Sequence, residues 1–408
     1  MKAISFLGLN NYQETTYAFG SKQHTTRFFA VALAHFFSFE TIFVCVTPKV
    51  EIHVNWSSLQ SELQAANINF IPIKIKDGGN ETELWETFGA LTSSVEDGDN
   101  IVFDITNSYR SLPMLCMLAA IYLRVTRNVT LEALIYGAFD ARDMQTNISP
   151  VFDLTPFVAL LDWTSAADQF IRTGNAYDLA KRLRAGRQSS DIHQGNLQAQ
   201  QLDQQLEQLS SAMEQVSLAL RMSRPLETMK ASAALVDALG NSRTHMGAIA
   251  HPFELLTKRL MQTYTPFALD APDQPPQWPE NLMMQLELIQ WYRARDHIVQ
   301  AVTLAREFVV SLVCYHAGKD MQIPDERKRI EGALNGSQLG ANLPTALQSF
   351  PDAGELLAIW KELTTVRNTL AHAAVTVGSK PAEELLEQFD KLLDGLKKIV
   401  PQLSWWQK

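Results

Sequence analysis

Residues 100–113 of the chain read NIVFDITNSYRSLP, and this stretch decides the fold. It begins with a short apolar run, NIVFDI, which is typical of a buried β-strand. A polar turn of Thr106, Asn107 and Ser108 follows, and the residues from Arg110 onward have the apolar spacing of a helix. A strand that leads through a polar turn into a helix predicts one unit of a parallel α/β sheet.

Outward from this stretch, four more short apolar runs alternate with helical patterns. The predicted strands are residues 3–9, 41–47, 69–75, 100–105 and 130–136, and the predicted helices are residues 25–39, 55–65, 81–94 and 110–126. Near-continuous apolar strands separated by helices indicate a parallel sheet with both faces covered. Ligands of such open sheets bind beyond the carboxyl ends of the strands.

After about residue 155 the strand-like runs stop and helical spacing continues to the C-terminus. The predicted fold class is therefore α/β plus all-α: a Rossmann-like domain over residues 1–155, a helical connector over 156–225 and an all-helical domain over 226–408. Residues 195–222 are rich in glutamine, with leucines near heptad spacing. A spacer helix, a dimer seam and an ordinary amphipathic helix all fit that pattern.

Composition limits the function classes. The 408 residues are 46% hydrophobic and 19% charged, which supports a large core, and the net charge of -9 argues against a broad basic face for long nucleic acid. Cys45, Cys116 and Cys314 are far apart in apolar runs, with neither a disulfide framework nor zinc spacing. The N-terminus lacks a signal-peptide pattern, and no run of about 18 apolar residues predicts a membrane span. The expected compartment is the cytoplasm.

Two polar turns are candidate binding loops. Thr106, Asn107 and Ser108 offer short hydrogen-bonding side chains before a helix, and the guanidinium of Arg110 suits phosphate. Helix capping by Asn107 or Ser108 is the alternative. Asn10 and Asn11 follow the first predicted strand. In a doubly wound sheet the first and fourth strands can be neighbours, so both turns are expected to line one pocket.

A second candidate site lies near the C-terminus. Arg367 and Asn368 precede His372 in a predicted helix. Residues five apart on a helix are about 140° apart around its axis, whereas Asn368 and His372, four apart, share a face. An arginine and a histidine at this spacing also occur by chance, so an exposed arginine and a helix histidine with no role are the alternative.

A family resemblance extends the first pattern. The stretch FDITNSYRSLP resembles the D-x-T-H-G-x-R-x-x-P motif of CRISPR-associated CARF proteins, and SFLGLNNYQETTY, IYGAFDA and DLTPFVALLDWTSAADQF resemble that family in order and spacing. The resemblance implies a sensor of cyclic oligoadenylate, with cyclic tetra-adenylate the first expectation and cyclic hexa-adenylate the second. Asn107-Ser108 replaces the family's His-Gly. The implied ligand-binding residues are Asn10, Asn11, Thr106, Asn107, Ser108 and Arg110, with Gly137 and Ala138 at the border of the site.

The C-terminal residues resemble a second family. WKELTTVRNTLAHAAV resembles the R-N-x-x-x-H motif of HEPN ribonucleases, and residues 291–313 resemble the long helix of that domain. The resemblance implies a homodimer, with further assembly left open, whose shared cleft cuts single-stranded RNA without a metal or another cofactor. The ribose 2′-hydroxyl attacks and leaves a cyclic phosphate. His372 is the expected acid or base, Arg367 stabilises phosphate charge, and Asn368 holds the histidine or the phosphate.

Two other readings stay open. A ligand-responsive binding module would use the same sensor with a helical domain that dimerises or regulates transcription. A toxin-like HEPN protein would lack ligand control. The sequence contains no helix-turn-helix pattern with a basic recognition face, and its acidic balance does not suit duplex DNA. The leading expectation is an RNA-cutting enzyme of type III CRISPR defence, with single-stranded RNA and the cyclic oligoadenylate as its partners.

Overall fold

The computed structural model of the chain describes residues 1–107, 112–185, 197–246, 251–336, 345–372 and 380–406. The described residues divide into two compact units, Met1–Asp162 and Trp163–Lys408. The buried apolar residues of each unit form clusters within that unit.

The N-terminal unit is built on one eight-stranded sheet in the order β3-β2-β8-β7-β6-β1-β4-β5. All five predicted strands are present, and they form its parallel part, β7-β6-β1-β4-β5. The strands are β1 Lys2–Phe6, β2 Thr15–Phe19, β3 Lys22–Thr26, β4 Thr41–Val46, β5 Phe70–Lys74, β6 Asn100–Asp104, β7 Thr130–Gly137 and β8 Ile148–Asp153.

The prediction of a parallel sheet needs one correction, because the sheet is mixed. β8 runs antiparallel to β7, β2 is parallel to β8, and β3 is antiparallel to β2. β3 is polar throughout, β2 begins with two threonines, and the two strands are joined at Gly20, which has a φ of +58°. Their sequences lack the apolar run that marks a central strand. The predicted helix over residues 25–39 begins only at Phe29, because Thr25 and Thr26 belong to β3.

Helices cover both faces of this sheet. Along β4, Ile42, Val44 and Val46 face one core with α1 and α3, whereas Phe43 and Cys45 face another with α4 and α5. This alternation is what a strand buried on both sides requires. The helices are α1 Phe29–Phe36, α2 Pro48–Glu51, α3 Val54–Ala65, α4 Glu81–Ser93, α5 Leu112–Thr126 and α6 Thr155–Thr173, within which the chain passes from the first unit to the second.

The second unit contains helices and short 3-10 turns in its described residues. The helices are α7 Tyr177–Ala185, α8 Leu197–Arg221, α9 Pro225–Met246, α10 His251–Tyr264, α11 Trp278–Arg293, α12 Ile298–His316, α13 Pro324–Gly336, α14 Ala353–Ala371 and α15 Ala382–Ile399. Phe170, Leu183 and Met213 from the predicted connector share one hydrophobic core with Phe308 and Trp360. The connector residues are therefore part of the packing of this unit. The α/β plus all-α fold class is confirmed.

Helix α12 lies in the middle of that core. It is long and apolar enough to cross a membrane by length and composition, although the sequence analysis predicted no such segment. In the structure 61% of its apolar window is buried inside the unit, where Phe308, Val309 and Leu312 are fully enclosed. A central core helix meets the same criteria, so this helix is weak evidence for a membrane span.

Candidate functional site

The first candidate site lies where the strand order of the parallel sheet reverses direction. β1 pairs with β4 on one side and with β6 on the other. The loops that leave the carboxyl ends of β1 and β6 therefore diverge and open a crevice between them, which is the usual ligand position in such sheets. Gly8 follows β1, and a Cβ atom built on it would be 3.7 Å from the carbonyl oxygen of Asn107. The two predicted binding turns are thus neighbours.

A buried carboxylate holds the turn after β6. Asp104 is fully buried, and its carboxylate accepts hydrogen bonds from the Ser5 hydroxyl at 2.5 Å and from the Thr106 backbone N–H at 2.8 Å. Burial raises the pKa of Asp104 to about 6, although these donors oppose the shift. The Thr106 hydroxyl in turn accepts a 2.8 Å hydrogen bond from the backbone N–H of Gly137. The tips of β1, β6 and β7 are therefore tied together beneath the crevice.

A side-chain amide fixes the loop after β1. The Asn55 amide at the start of α3 donates to the carbonyl oxygens of Gly8 at 3.1 Å and Asn10 at 2.9 Å. The Tyr12 hydroxyl accepts a 2.8 Å hydrogen bond from the Gly8 N–H, and its ring packs 5.2 Å from that of Phe28. Burial raises the pKa of Tyr12 to about 12, so the phenol is neutral at physiological pH. These contacts hold the loop while Asn10 and Asn11 stay exposed.

Together the loops enclose a cleft of about 260 Å³. Five of the predicted binding residues line it: Asn10, Asn11, Thr106, Asn107 and Gly137. Ala138 is buried beside Gly137 and is not among the lining residues. Ser108 and Arg110 lie outside the described residues. The cleft also brings together residues that sequence reasoning missed: Tyr12, Gln13, Tyr17, Arg27, Tyr136, Phe139 and Asp140.

Arg27 supplies a cation to this cleft from the end of β3. Its guanidinium Nε donates to the Glu62 carboxylate at 2.8 Å and lies 4.8 Å from the centre of the Phe28 ring. Residues 25–39 were predicted to form a helix, so the position of Arg27 after the β2–β3 hairpin was not expected. Asp140 is the negative counterpart, exposed on the opposite loop. The cleft therefore contains a guanidinium, which is paired with Glu62, together with amide groups and aromatic rings, and these are the types of group that suit a phosphate and a nucleobase.

The second candidate site lies at the C-terminal end of α14. The helix ends at Ala371, and the backbone N–H of His372 still donates to the carbonyl oxygen of Asn368 at 3.0 Å. Asn368 and His372 are exposed one turn apart, whereas Arg367 is half-buried. Val366 and Leu370 face the other way, into a cavity of about 440 Å³ shared with α15. Asn368 and His372 thus project from the helix surface on one side.

Comparisons with known proteins match two stretches of the chain. Residues 2–140 match the family model described as CRISPR system endoribonuclease Csx1, CARF domain. Residues 159–266 match the one described as CRISPR-associated protein MJ1674, second domain. The second match continues across residue 225, where the sequence analysis separated connector from nuclease domain, and that division remains a prediction.

One curated relative is the CRISPR-associated protein MJ1674 of Methanocaldococcus jannaschii. It is 35% identical over 112 residues, which is 27% of this chain and 18% of that protein. The matched region therefore spans less than a fifth of the relative's length.

The sheet, the crevice at its reversal point and the match over residues 2–140 define the N-terminal unit as a CARF domain. The chain is a CRISPR-associated, CARF-containing protein of the Csx1 type.

Proposed function

We propose that this protein is an endoribonuclease of type III CRISPR defence that a cyclic oligoadenylate switches on. The observation that carries the proposal is the cleft lined by Asn10, Asn11, Thr106 and Asn107, in a domain that matches the CARF domain of an endoribonuclease family. CARF domains bind cyclic oligoadenylates in general. Cyclic tetra-adenylate is our first choice of ring and cyclic hexa-adenylate the second.

The cleft has the groups that an adenylate needs. Arg27 and the amides of Asn10, Asn11 and Asn107 are donors for phosphate oxygens. Tyr136 and Phe139 offer ring faces to a base. Ser108 and Arg110, on the same loop in sequence, are proposed to complete the phosphate contacts.

The proposed nuclease site consists of Arg367, Asn368 and His372 from each of two subunits. The ribose 2′-oxygen attacks the adjacent phosphorus and loses its proton to a histidine, the bond to the 5′-oxygen breaks, and that oxygen is protonated as it leaves. The products are a 2′,3′-cyclic phosphate and a 5′-hydroxyl. Arg367 stabilises the charge on the phosphoryl oxygens, and Asn368 orients the histidine or the phosphate. This chemistry requires no metal, and DNA lacks the attacking hydroxyl.

Support for this assignment is that Asn368 and His372 lie one turn apart at an exposed helix end. A residue pair in the open is accessible to a second subunit and to RNA. We place the reaction in the cytoplasm, with the homodimer as the active unit.

The test is cleavage of labelled single-stranded RNA in the presence of a chelator, with cyclic tetra-adenylate, cyclic hexa-adenylate or no ring. We expect cleavage with one ring, unaffected by the chelator, and a loss of 100-fold or more in His372→Ala. His35→Ala is the control, because His35 is an exposed histidine of the N-terminal unit. Binding of the cyclic oligoadenylate without RNA cleavage would favour the ligand-responsive regulator.

A further inference from the structure

A further cavity lies in the C-terminal unit, between the beginnings of α9 and α13 and the middle turns of α11 and α12. Its volume is about 350 Å³, which is within the range of about 300–1,000 Å³ that is typical of small-molecule pockets. Within the described residues, it shares no lining side chain with the cleft of the N-terminal unit or with the cavity beside α14. It is therefore a separate candidate site, to which the proposed function assigns no role.

One wall of this cavity contains a buried amide whose orientation is fixed. Gln285 is 4% exposed, and Asn281, one turn earlier on α11, is fully buried. The side-chain nitrogen of Asn281 donates to the carbonyl oxygen of Pro272 at 2.7 Å, and because that carbonyl can only accept, the side-chain oxygen of Asn281 is left to accept elsewhere. It accepts a 2.7 Å hydrogen bond from the side-chain nitrogen of Gln285. The Gln285 oxygen, Oε1, is therefore the free end of this amide relay.

Oε1 of Gln285 is an open hydrogen-bond acceptor. It receives no hydrogen bond from the described residues, yet it is not among the enclosed polar atoms that lack a partner, so it reaches the cavity that Gln285 lines. A largely buried acceptor without a donor destabilises a fold, and a ligand that brings an N–H group removes that cost. The cavity therefore favours a ligand with a hydrogen-bond donor.

The charged groups that border the cavity neutralise one another. Nη1 of Arg327 donates to the Ser311 hydroxyl at 2.9 Å and to the Met321 carbonyl oxygen at 2.8 Å. Nη2 of Arg327 donates to one oxygen of the Glu307 carboxylate at 2.7 Å, and Arg306 donates to the other oxygen at 2.7 Å. The guanidinium fork of Arg327 is thus occupied, and the carboxylate already has two cationic partners. An uncharged ligand fits this balance, since a phosphate or an ammonium group would bring an unpaired charge.

Apolar side chains complete the lining. Leu304 and Met321 are buried, and Pro225 and Leu226 are half-buried. Such side chains favour the apolar faces of a flat ring. The cavity thus combines apolar contacts with two acceptors, the oxygen of Gln285 and the carboxylate of the neighbouring helix α12.

We propose that this cavity is a binding site for a nucleobase that carries an exocyclic amino group. The two hydrogens of that amino group are donated to Oε1 of Gln285 and to the carboxylate of Glu307, and the apolar side chains cover the ring. Cytosine and adenine have such an amino group, whereas uracil has an acceptor in its place. A free nucleoside and an unpaired base of a single strand offer the same chemistry. The proposal goes beyond the proposed function and does not depend on it.

Cytidine and uridine are a matched pair of probes, because the amino group of cytosine is replaced by an oxygen in uracil. Calorimetric titration of the full-length chain should show one cytidine bound per chain. Cytidine should bind about tenfold more tightly than uridine or better, since the oxygen of uracil would face the oxygen of Gln285. Equal affinities would overturn the proposal, and so would the absence of cytidine binding at millimolar concentration.

Thr303→Trp tests whether the nucleoside occupies this cavity. Thr303 lines the cavity at an exposed position of α12, so the larger side chain fills the space without disturbing the amide relay. Val299→Trp is the control, because Val299 is 56% exposed one turn earlier on the same helix and does not line the cavity. Cytidine binding should be lost in Thr303→Trp and unchanged in Val299→Trp. Binding that survives in Thr303→Trp would come from another site and would contradict the proposal.

A short oligocytidylate distinguishes the two sources of the base. If it binds more tightly than cytidine and Thr303→Trp weakens both, the cavity holds a base of a single strand. If cytidine binds and the oligonucleotide does not, the cavity holds a free nucleoside. Failure of both to bind would overturn the proposal. The absence of RNA cleavage by the wild type would defeat the proposed function and leave this site unaffected.

Discussion

The hydroxyl of Thr106 accepts a 2.8 Å hydrogen bond from the backbone N–H of Gly137, and this contact joins the tips of β6 and β7 at the edge of the cleft. Thr106→Val keeps the shape and leaves that N–H without its partner, which should cost about 1–3 kcal/mol in the free energy of unfolding. Ring binding should weaken by about tenfold. Chemical denaturation and calorimetry measure the two effects, and Thr106→Ser should restore both. If Thr106→Val binds the cyclic oligoadenylate as tightly as the wild type does, Thr106 does not contribute to the ligand site.

Gly137 is required for packing. A Cβ atom at this position would lie 2.5 Å from a ring carbon of Phe29, which is fully buried and cannot move aside freely. Gly137→Ala should therefore destabilise the N-terminal unit by about 1–3 kcal/mol. Gly89→Ala is the matched control, since nothing lies within 4 Å of its Cβ position in α4, and alanine favours a helix. Thermal unfolding should show opposite shifts in the two variants. An unchanged melting temperature in Gly137→Ala would mean that the ring of Phe29 moves to make room for the methyl group.

Asn55 acts on the ligand loop through the backbone. Its amide holds the carbonyl oxygens of Gly8 and Asn10 without lining the cleft. Asn55→Ala should therefore weaken ring binding by about five- to tenfold, because the loop must be ordered when the ligand binds. The entropy of binding should become less favourable while the set of ligand contacts stays the same. Ser57→Ala, at an exposed position two residues later, is the control. An unchanged affinity in Asn55→Ala would show that the loop needs no such support.

Asp104 should make the stability of the N-terminal unit depend on pH. Burial raises its pKa from 3.8 to about 6, so the folded chain holds this proton more tightly than the unfolded chain. The stability that the neutral form provides is complete below pH 4. It is lost as the pH rises through 6, by roughly 3 kcal/mol in all.

Urea unfolding of wild type and Asp104→Asn between pH 4 and 7 checks this sign. The difference between the two proteins should shift in favour of the variant as the pH rises, because all other titrating groups are shared. A constant difference across that range would show that Asp104 keeps an ordinary carboxyl pKa.

The sequence predicted the parts of the fold that bury apolar side chains with a regular period. The five parallel strands follow from that pattern: β7, β6, β1 and β4 lie inside the sheet, and β5, at its edge, still has an apolar run. β2, β3 and β8 were missed because none of them has a continuous apolar run: β3 is polar throughout, β2 begins with two threonines, and Ser149 and Pro150 interrupt β8. Because the β2–β3 hairpin was not predicted, Arg27 was not predicted to line the cleft either, since its position there depends on β3 being a strand.

For the candidate site, the sequence predicted the two binding turns but not the side chains that hold those turns in place. Asn10 and Thr106 follow the predicted apolar strands directly. Ligands of open parallel sheets bind beyond the carboxyl ends of the strands, so both residues could be predicted to lie at the site. Asn55 has no such signal, since its contact with Gly8 spans 47 residues. At the other end of the chain, Arg367, Asn368 and His372 were predicted from a short motif, and their catalytic role stays a prediction until RNA cleavage is measured.

The cleft is assembled from five separate segments, around residues 10–13, 17, 27, 106–107 and 136–140, which meet only when the sheet is complete. A ligand that needs all five binds the native chain and not the unfolded one. At a concentration 100 times its dissociation constant, such a ligand adds about 2.7 kcal/mol to the stability of its receptor. Under the proposed function, the cyclic oligoadenylate would therefore also slow proteolysis of the N-terminal unit for as long as it stays bound.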